Sequence, residues 1–186
     1  MAKIFDISKL KLLAFMVIGY GSFYFLNNYL TKGLYLATAA HIVHLPTGVK
    51  MLMVLVSGVL GSLAIAIVGF AYGVMHITNG NYILALYLAF ASAAAPLISV
   101  MLLKNIFDLT DNLSSLNFEK LLFLSLMFAS LNSTIHQLII YVYGEQIDLL
   151  NGLLIMFIGD VTGIFIVLYL FRFGLKVVKA NKDVVN

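Results

Sequence analysis

From Leu149 to Phe171 the chain carries a single charged side chain, Asp160, set in Ile158-Gly159-Asp160-Val161-Thr162-Gly163. An apolar stretch of about 20 residues has the length of a membrane-spanning helix, so this carboxylate falls near the bilayer midplane. Inserting an ionisable group at that depth costs at least ~2.5 kcal/mol. Such a group faces a partner, a cavity or a ligand inside a bundle, never the lipid. The chain therefore needs several helices and a buried polar site.

The composition agrees. Of 186 residues, 62% are hydrophobic and 10% charged, against about 25% charged in soluble domains. The expected fold class is an all-α integral membrane protein, one polytopic domain over residues 1–186. Cysteine is absent, which excludes disulfides, thiolate metal ligands and cysteine nucleophiles. Tryptophan is also absent, so interfacial aromatic belts fall to tyrosine and phenylalanine.

The net charge of +3 does not indicate nucleic-acid binding, because the basic residues flank apolar runs. Lys3, Lys9 and Lys11 precede the first run. Arg172, Lys176, Lys179 and Lys182 follow the last. Positive flanks mark the cytoplasmic side. The segment before Asn81 has no Lys or Arg, and the turn holding Glu145 and Asp148 is acidic. Both termini are therefore expected in the cytoplasm of a bacterial inner membrane, with an even number of crossings. Ala37-Thr38-Ala39 looks like a signal cleavage site but lies too far from the start, so the first apolar run reads as an uncleaved helix.

Six crossings fit: about Leu12 to Leu30, Gly33 to Ser57, Val59 to Met75, Tyr82 to Leu103, Leu121 to Tyr143 and Leu149 to Phe171. The second is expected to be broken at Pro46. A re-entrant 33–57 segment with four or five full spans is the alternative. The stretch from Lys104 to Lys120 is the one sizeable loop, with Asn117 and Lys120 marking a helix start. Gly69 with Gly73, Ala89 with Ala93, and Gly159 with Gly163 have the small-xxx-small spacing of close helix packing.

Several polar residues share the depth of Asp160. The segment from His41 through His44, Pro46, Thr47 and Gly48 to Lys50 lies inside the second run. Proline removes a donor and disfavours helix before it, and interrupted membrane helices line cavities or are buried in protein. A new helix is expected near Thr47, with Thr47 as its cap and its N-terminus favouring a carboxylate. Asp160 is the obvious carboxylate. Its partner is Lys50, or a ligand, or neutral Thr, Asn and backbone donors. The fifth run adds Asn132, Ser133, Thr134, His136 and Gln137, read as interhelical hydrogen bonding or as a site wall. Ser92 and Pro96 mark the middle of the fourth. His41, His44, His136 and Asp160 form an admissible but weak metal set, and haem is weaker still, so no metal and no cofactor is assigned. His76 is expected at the interface. No nucleophile–base pairing, phosphate loop or metalloprotease helix appears, so no catalytic residue and no enzyme activity is expected.

Three segments carry a family resemblance. His44-Leu45-Pro46-Thr47-Gly48-Val49 resembles an aromatic-Pro-Pro-small-Gly segment, though with one proline. Asn105-Ile106-Phe107-Asp108 and then Phe118 to Gly144 look like a central loop and its following helix. Phe157-Ile158-Gly159-Asp160-Val161-Thr162-Gly163-Ile164 is similar to an aromatic-x-Gly-Asp-x-x-Gly final helix. In this order they resemble the first-described bacterial membrane-associated sensor family, whose membrane domain normally precedes histidine kinase or diguanylate cyclase modules. The resemblance implies signal sensing by the bundle. It maps family positions onto Pro46, Thr47, Gly48, Gly159, Asp160 and Gly163. The chain is expected to stand alone, without an output domain, and so to act through a partner protein. The alternatives are a substrate-binding membrane subunit of a vitamin transporter of the energy-coupling-factor type, by architecture alone, or a structural subunit of a membrane complex. The expected contacts are the lipid bilayer, an unidentified small ligand and that protein partner.

Overall fold

The computed structural model describes residues 6–30, 35–37, 40–41, 43–107, 118–144 and 148–185. They form six helices and one small hairpin: α1 (Ile7–Leu30), β1 (Tyr35–Ala37), β2 (Ala40–His41), α2 (Leu45–Ser57), α3 (Val59–Tyr72), α4 (Tyr82–Ile106), α5 (Phe118–Val142) and α6 (Leu149–Val185). The fold is an all-α membrane bundle. Five helices are long and apolar enough to cross a membrane: α1, α3 with its extension to Ile77, α4, α5 and the Leu149–Phe171 part of α6.

Local chemistry sets the boundaries. Asp6 starts α1 by accepting the Ser8 N–H at 3.1 Å, and that backbone donor holds its carboxyl below the usual range. Asn81 caps α4 by accepting from Leu84 N at 3.1 Å, and Asp148 caps α6 through Asn151 N at 3.0 Å. These are the short acceptors that helix N-termini prefer. Gly58, at φ +54°, makes the tight turn between α2 and α3. Asn79 and Gly80, both at positive φ, make the turn before α4. The expected helix start at Asn117 and most of the 104–120 loop lie outside the described residues, as do the side chains of residues 35–42.

The second run departs from the expected broken helix. The interruption lies where Pro46 indicated, but the described part of the upstream limb is the antiparallel β1–β2 hairpin, not a half-helix. The downstream limb, α2, has 13 residues, about 20 Å at 1.5 Å per residue, against a hydrocarbon core of about 30 Å. The third span is longer than expected because a wide π-type turn, Gly73–Ile77, prolongs α3. The last helix continues past Phe171 to Val185.

Side-chain contacts give each helix its direction. Asn28 of α1 meets the hydroxyl of Tyr72 near the end of α3, so α1 and α3 run parallel. Gly69 and Gly73 face Ala89 and Ala85, so α4 runs against α3. Ser92 meets His136, so α5 runs against α4. Asn132 and Gln137 reach Asp160 and Met156, so α6 runs against α5. His44 and Gly48 lie beside Gly159 and Gly163, so α2 runs along α6. Helices α1, α3 and α5 thus point one way and α2, α4 and α6 the other, and α1 begins at the end of the bundle where α6 leaves it. The small-residue pairs pack within this one chain.

The interior holds Tyr20, Met51, Val54, Ile65, Leu103, Leu124, Phe128 and Ile164. Large apolar side chains such as Phe15, Ile18, Phe25, Phe90 and Tyr169 point outward. In water such a surface would be anomalous; here it is the face that meets lipid.

Candidate functional site

The start of α2 is a helix end buried in protein at the depth of Asp160, and its orphan donors are accounted for. A helix leaves its first N–H groups without intrahelical partners. Leu45 N donates to Asn27 Oδ1 of α1 at 2.9 Å. Pro46 has no N–H to satisfy. Thr47 N reaches back to the His44 carbonyl at 3.2 Å. His44, not Thr47, is the residue before the first turn, and its own side chain makes no capping bond. Just upstream, His44 N donates to the Gly159 carbonyl at 3.0 Å, fastening the chain to α6.

Thr47 sits inside the first turn instead, and its hydroxyl donates to Asp160 Oδ1 at 2.6 Å. Asn132 Nδ2 of α5 donates to Asp160 Oδ2 at 2.7 Å. His44 Nδ1 lies 3.3 Å from Oδ1 and 2.8 Å from the Thr47 hydroxyl. Thr47 has one hydroxyl hydrogen, already given to the carboxylate. The hydrogen between Thr47 and His44 must therefore come from His44, which places a proton on Nδ1. Three donors from two elements surround a carboxylate that is wholly buried. The positive end of the α2 dipole lies beside it.

Lys50 is the second buried charged group, 1% exposed. The sequence left open a direct Lys50–Asp160 pair; the structure does not form it. Among the described residues, the basic side chain within ion-pair distance of Asp160 is His44, which is charged only when doubly protonated and otherwise donates as a neutral imidazole. The Lys50 ammonium donates to Ser92 Oγ of α4 at 3.0 Å, and Ser92 Oγ is 3.1 Å from His136 Nε2. An ammonium only donates, so the hydroxyl hydrogen of Ser92 is free to point at His136, with Nε2 as the acceptor. Asp160 and Lys50 thus carry opposite formal charges in one interior, each held by neutral partners.

The expected site residues divide clearly. Thr47, Lys50, Asn132, His136, Gln137 and Asp160 are brought together by α2, α5 and α6, with Ser92 from α4. Pro46 and Gly48 are buried and serve packing. A Cβ at Gly48 would lie 2.5 Å from Val167 Cβ, and one at Gly163 would collide with the His44 carbonyl. Gly159 contributes its carbonyl. His41 falls in β2, and its side chain lies outside the described residues. Ser133 bonds within its own helix, and Thr134 is exposed. Pro96 is buried inside α4. Among the described residues no three His, Asp or Glu side chains gather as a metal site. His76 is exposed at the end of α3, beside Tyr72.

Sequence reasoning missed the contribution of α1. Tyr20, Tyr24 and Asn27 are buried on one face of it. Tyr24 stacks on Tyr72 at 4.3 Å and meets His44 edge-on at 5.9 Å. Their i, i+4, i+7 spacing was the available signal, masked by an apolar background in which every face looks alike.

Among the described residues, two buried side-chain polar atoms remain without hydrogen-bond partners: Asn132 Oδ1 and Gln137 Oε1. Both side chains are fully buried. The Asn132 amide cannot simply be turned over, because its nitrogen must face the Asp160 carboxylate. Gln137 Nε2 lies 3.5 Å from Met156 Sδ, one turn along α6 from Asp160. Comparison with protein-family models, with curated proteins and with solved structures finds no match to this chain.

Proposed function

We propose that this chain is an integral-membrane sensory or small-ligand-binding module, with its site at the polar centre formed by α2, α4, α5 and α6. One observation carries the reading: Asn132 and Gln137 each bury an amide oxygen with no protein partner, beside a network that already holds a carboxylate and an ammonium. A buried acceptor left unmatched costs about 1 to 3 kcal/mol, and a bound ligand removes that penalty. The continuous helix from Leu149 to Val185 supports action through a partner. It runs about 55 Å at 1.5 Å per residue, so a shift at Asp160 is carried along a single rigid element well beyond the polar centre. Basic residues at both ends favour cytoplasmic termini in a bacterial inner membrane.

A second reading, a transporter substrate-binding subunit, is favoured by α2 alone. A short helix that starts at mid-depth against a carboxylate resembles the discontinuous helices of transporter sites. Native mass spectrometry of the chain released from mild detergent tests both. A retained small molecule that disappears in Gln137→Met is the expected result. A clean apo mass with no copurifying protein would overturn the proposal. A copurifying ATPase would favour the transporter reading over the sensor.

A further inference from the structure

We infer that the ligand of this polar centre is a small molecule of zero net charge that bears hydrogen-bond donors, either a zwitterion or an uncharged polar compound. The inference rests on the site proposed above and adds the chemistry of its occupant.

Two observations lead to it. The first is the kind of atom left over. Asn132 Oδ1 and Gln137 Oε1 are both acceptors, so the occupant must present N–H or O–H groups. Both amides reach α6 one helical turn apart, at Asp160 and at Met156, which suits donors spaced along a small molecule better than a single ion. The Lys50 ammonium has three donors and gives one to Ser92, so an acceptor on the same molecule is also matched.

The second observation is the charge balance. Among the described residues, Asp160 and Lys50 are the two buried ones of fixed opposite charge, at 0% and 1% exposure, and their formal charges cancel. In an interior of low dielectric, a ligand with a net charge would leave that charge uncompensated, which is strongly unfavourable. Asp160 already accepts from Thr47 and Asn132, so a cation would compete with contacts that hold α2, α5 and α6 together. A net-neutral donor-bearing molecule satisfies the orphan acceptors and leaves both fixed charges where they are.

The test uses the full chain in mild detergent and follows helix unfolding by circular dichroism, since the protein has neither tryptophan nor cysteine for other labels. The compounds are neutral amino acids, their methyl esters (cations), their N-acetyl forms (anions), and uncharged amides and polyols. Net-neutral compounds should raise the unfolding midpoint in a saturable manner. Their charged derivatives should bind at least about tenfold more weakly. Whether zwitterions or uncharged compounds act identifies the subclass. Gln137→Met, close in size and held near Met156, should remain folded and lose the shift. Charged derivatives acting as strongly as neutral ones, with the effect still lost in Gln137→Met, would overturn the ligand class and leave the site standing. A shift that survives Gln137→Met would overturn the site itself. No shift from any compound on the folded protein would also overturn the ligand class.

Discussion

Thr47 donates its hydroxyl hydrogen to the Asp160 carboxylate at 2.6 Å, and this bond ties the first turn of the short helix α2 to the middle of the apolar Leu149–Phe171 part of α6. It is short, as hydrogen bonds to ionised acceptors are. Hydrogen bonds to charged groups contribute roughly 1.5 to 3 kcal/mol. Thr47→Val keeps the shape and removes the donor, so it should lower unfolding stability by about that amount. Thr47→Ser should retain most of it. Equal stability of the valine variant, measured by denaturant unfolding in detergent, would show that Asp160 does not depend on this contact.

Asp160→Asn should be destabilising for a different reason. With its oxygen toward Thr47, the new amide would turn its NH2 toward the NH2 of Asn132. Either the two NH2 groups face each other, or Asn132 turns over and buries its NH2 where its oxygen had no partner; each arrangement leaves buried donors unmatched, a loss of about 1 to 3 kcal/mol. Exchanging the pair, Asp160→Asn with Asn132→Asp, restores a donor opposite an acceptor. The double variant should therefore be more stable than Asp160→Asn alone. Strict additivity of the two single changes would mean the residues do not interact.

Lys50→Met should recover only part of the stability lost in Asp160→Asn, because the two charges balance within one interior without touching, whereas a direct ion pair predicts recovery of most of it. Lys50 bonds to Ser92, so its removal strands the Ser92–His136 contact and leaves Thr47 and Asn132 untouched. Recovery of most of the lost stability in Lys50→Met with Asp160→Asn would reinstate the direct pair. The readout is the same unfolding cycle.

Gly163→Ala should be severe and Gly19→Ala mild. A Cβ at Gly163 has no space, because the His44 carbonyl and Leu45 nitrogen already occupy it, whereas nothing lies within 4 Å at Gly19. Overpacking of this kind costs typically ~1 to 3 kcal/mol, and here the obstructing atoms are backbone. At Gly19 the change removes a helix-weakening glycine and should be neutral or stabilising by up to about 1 kcal/mol. Comparable melting temperatures for the two variants would contradict the close approach of α2 to α6.

Pro46→Ala should leave α2 starting where it does. The sequence alone suggests that removing the proline would extend the helix upstream. In the structure, His44 N is bonded to Gly159 O and Leu45 N to Asn27, so tertiary contacts hold the chain out of helical geometry before Leu45. The expected change in stability is below about 1 kcal/mol, with circular dichroism unchanged. A clear gain in helix content would show that Pro46 itself ends the hairpin.

Some features follow from sequence because they depend on composition within a single segment. Runs of apolar residues set five spanning helices to within a few residues, since a backbone in hydrocarbon must satisfy its own hydrogen bonds. Asp160, Lys50, Asn132, His136 and Gln137 were legible as interior residues because a polar side chain at that depth has nowhere else to go. Which of them meet was decided by packing. A direct Lys50–Asp160 pair was a natural reading of opposite charges. The register of α2 against α6, set by Gly48 and Gly163, instead brings Thr47 to the carboxylate and leaves the lysine one turn on, facing Ser92. The spacing of Tyr20, Tyr24 and Asn27 marked a shared face of α1, but the partners of Asn27 and Tyr24 exist only when α1 lies beside the start of α2. The hairpin before α2 was hidden for another reason: its own pairing is local, Tyr35 with His41 and Ala37 with Ala40, but it lies within an apolar run that reads as helix, and it packs against α6, which is distant in sequence. Local hydropathy carries no information about such contacts; the tertiary structure alone decides them.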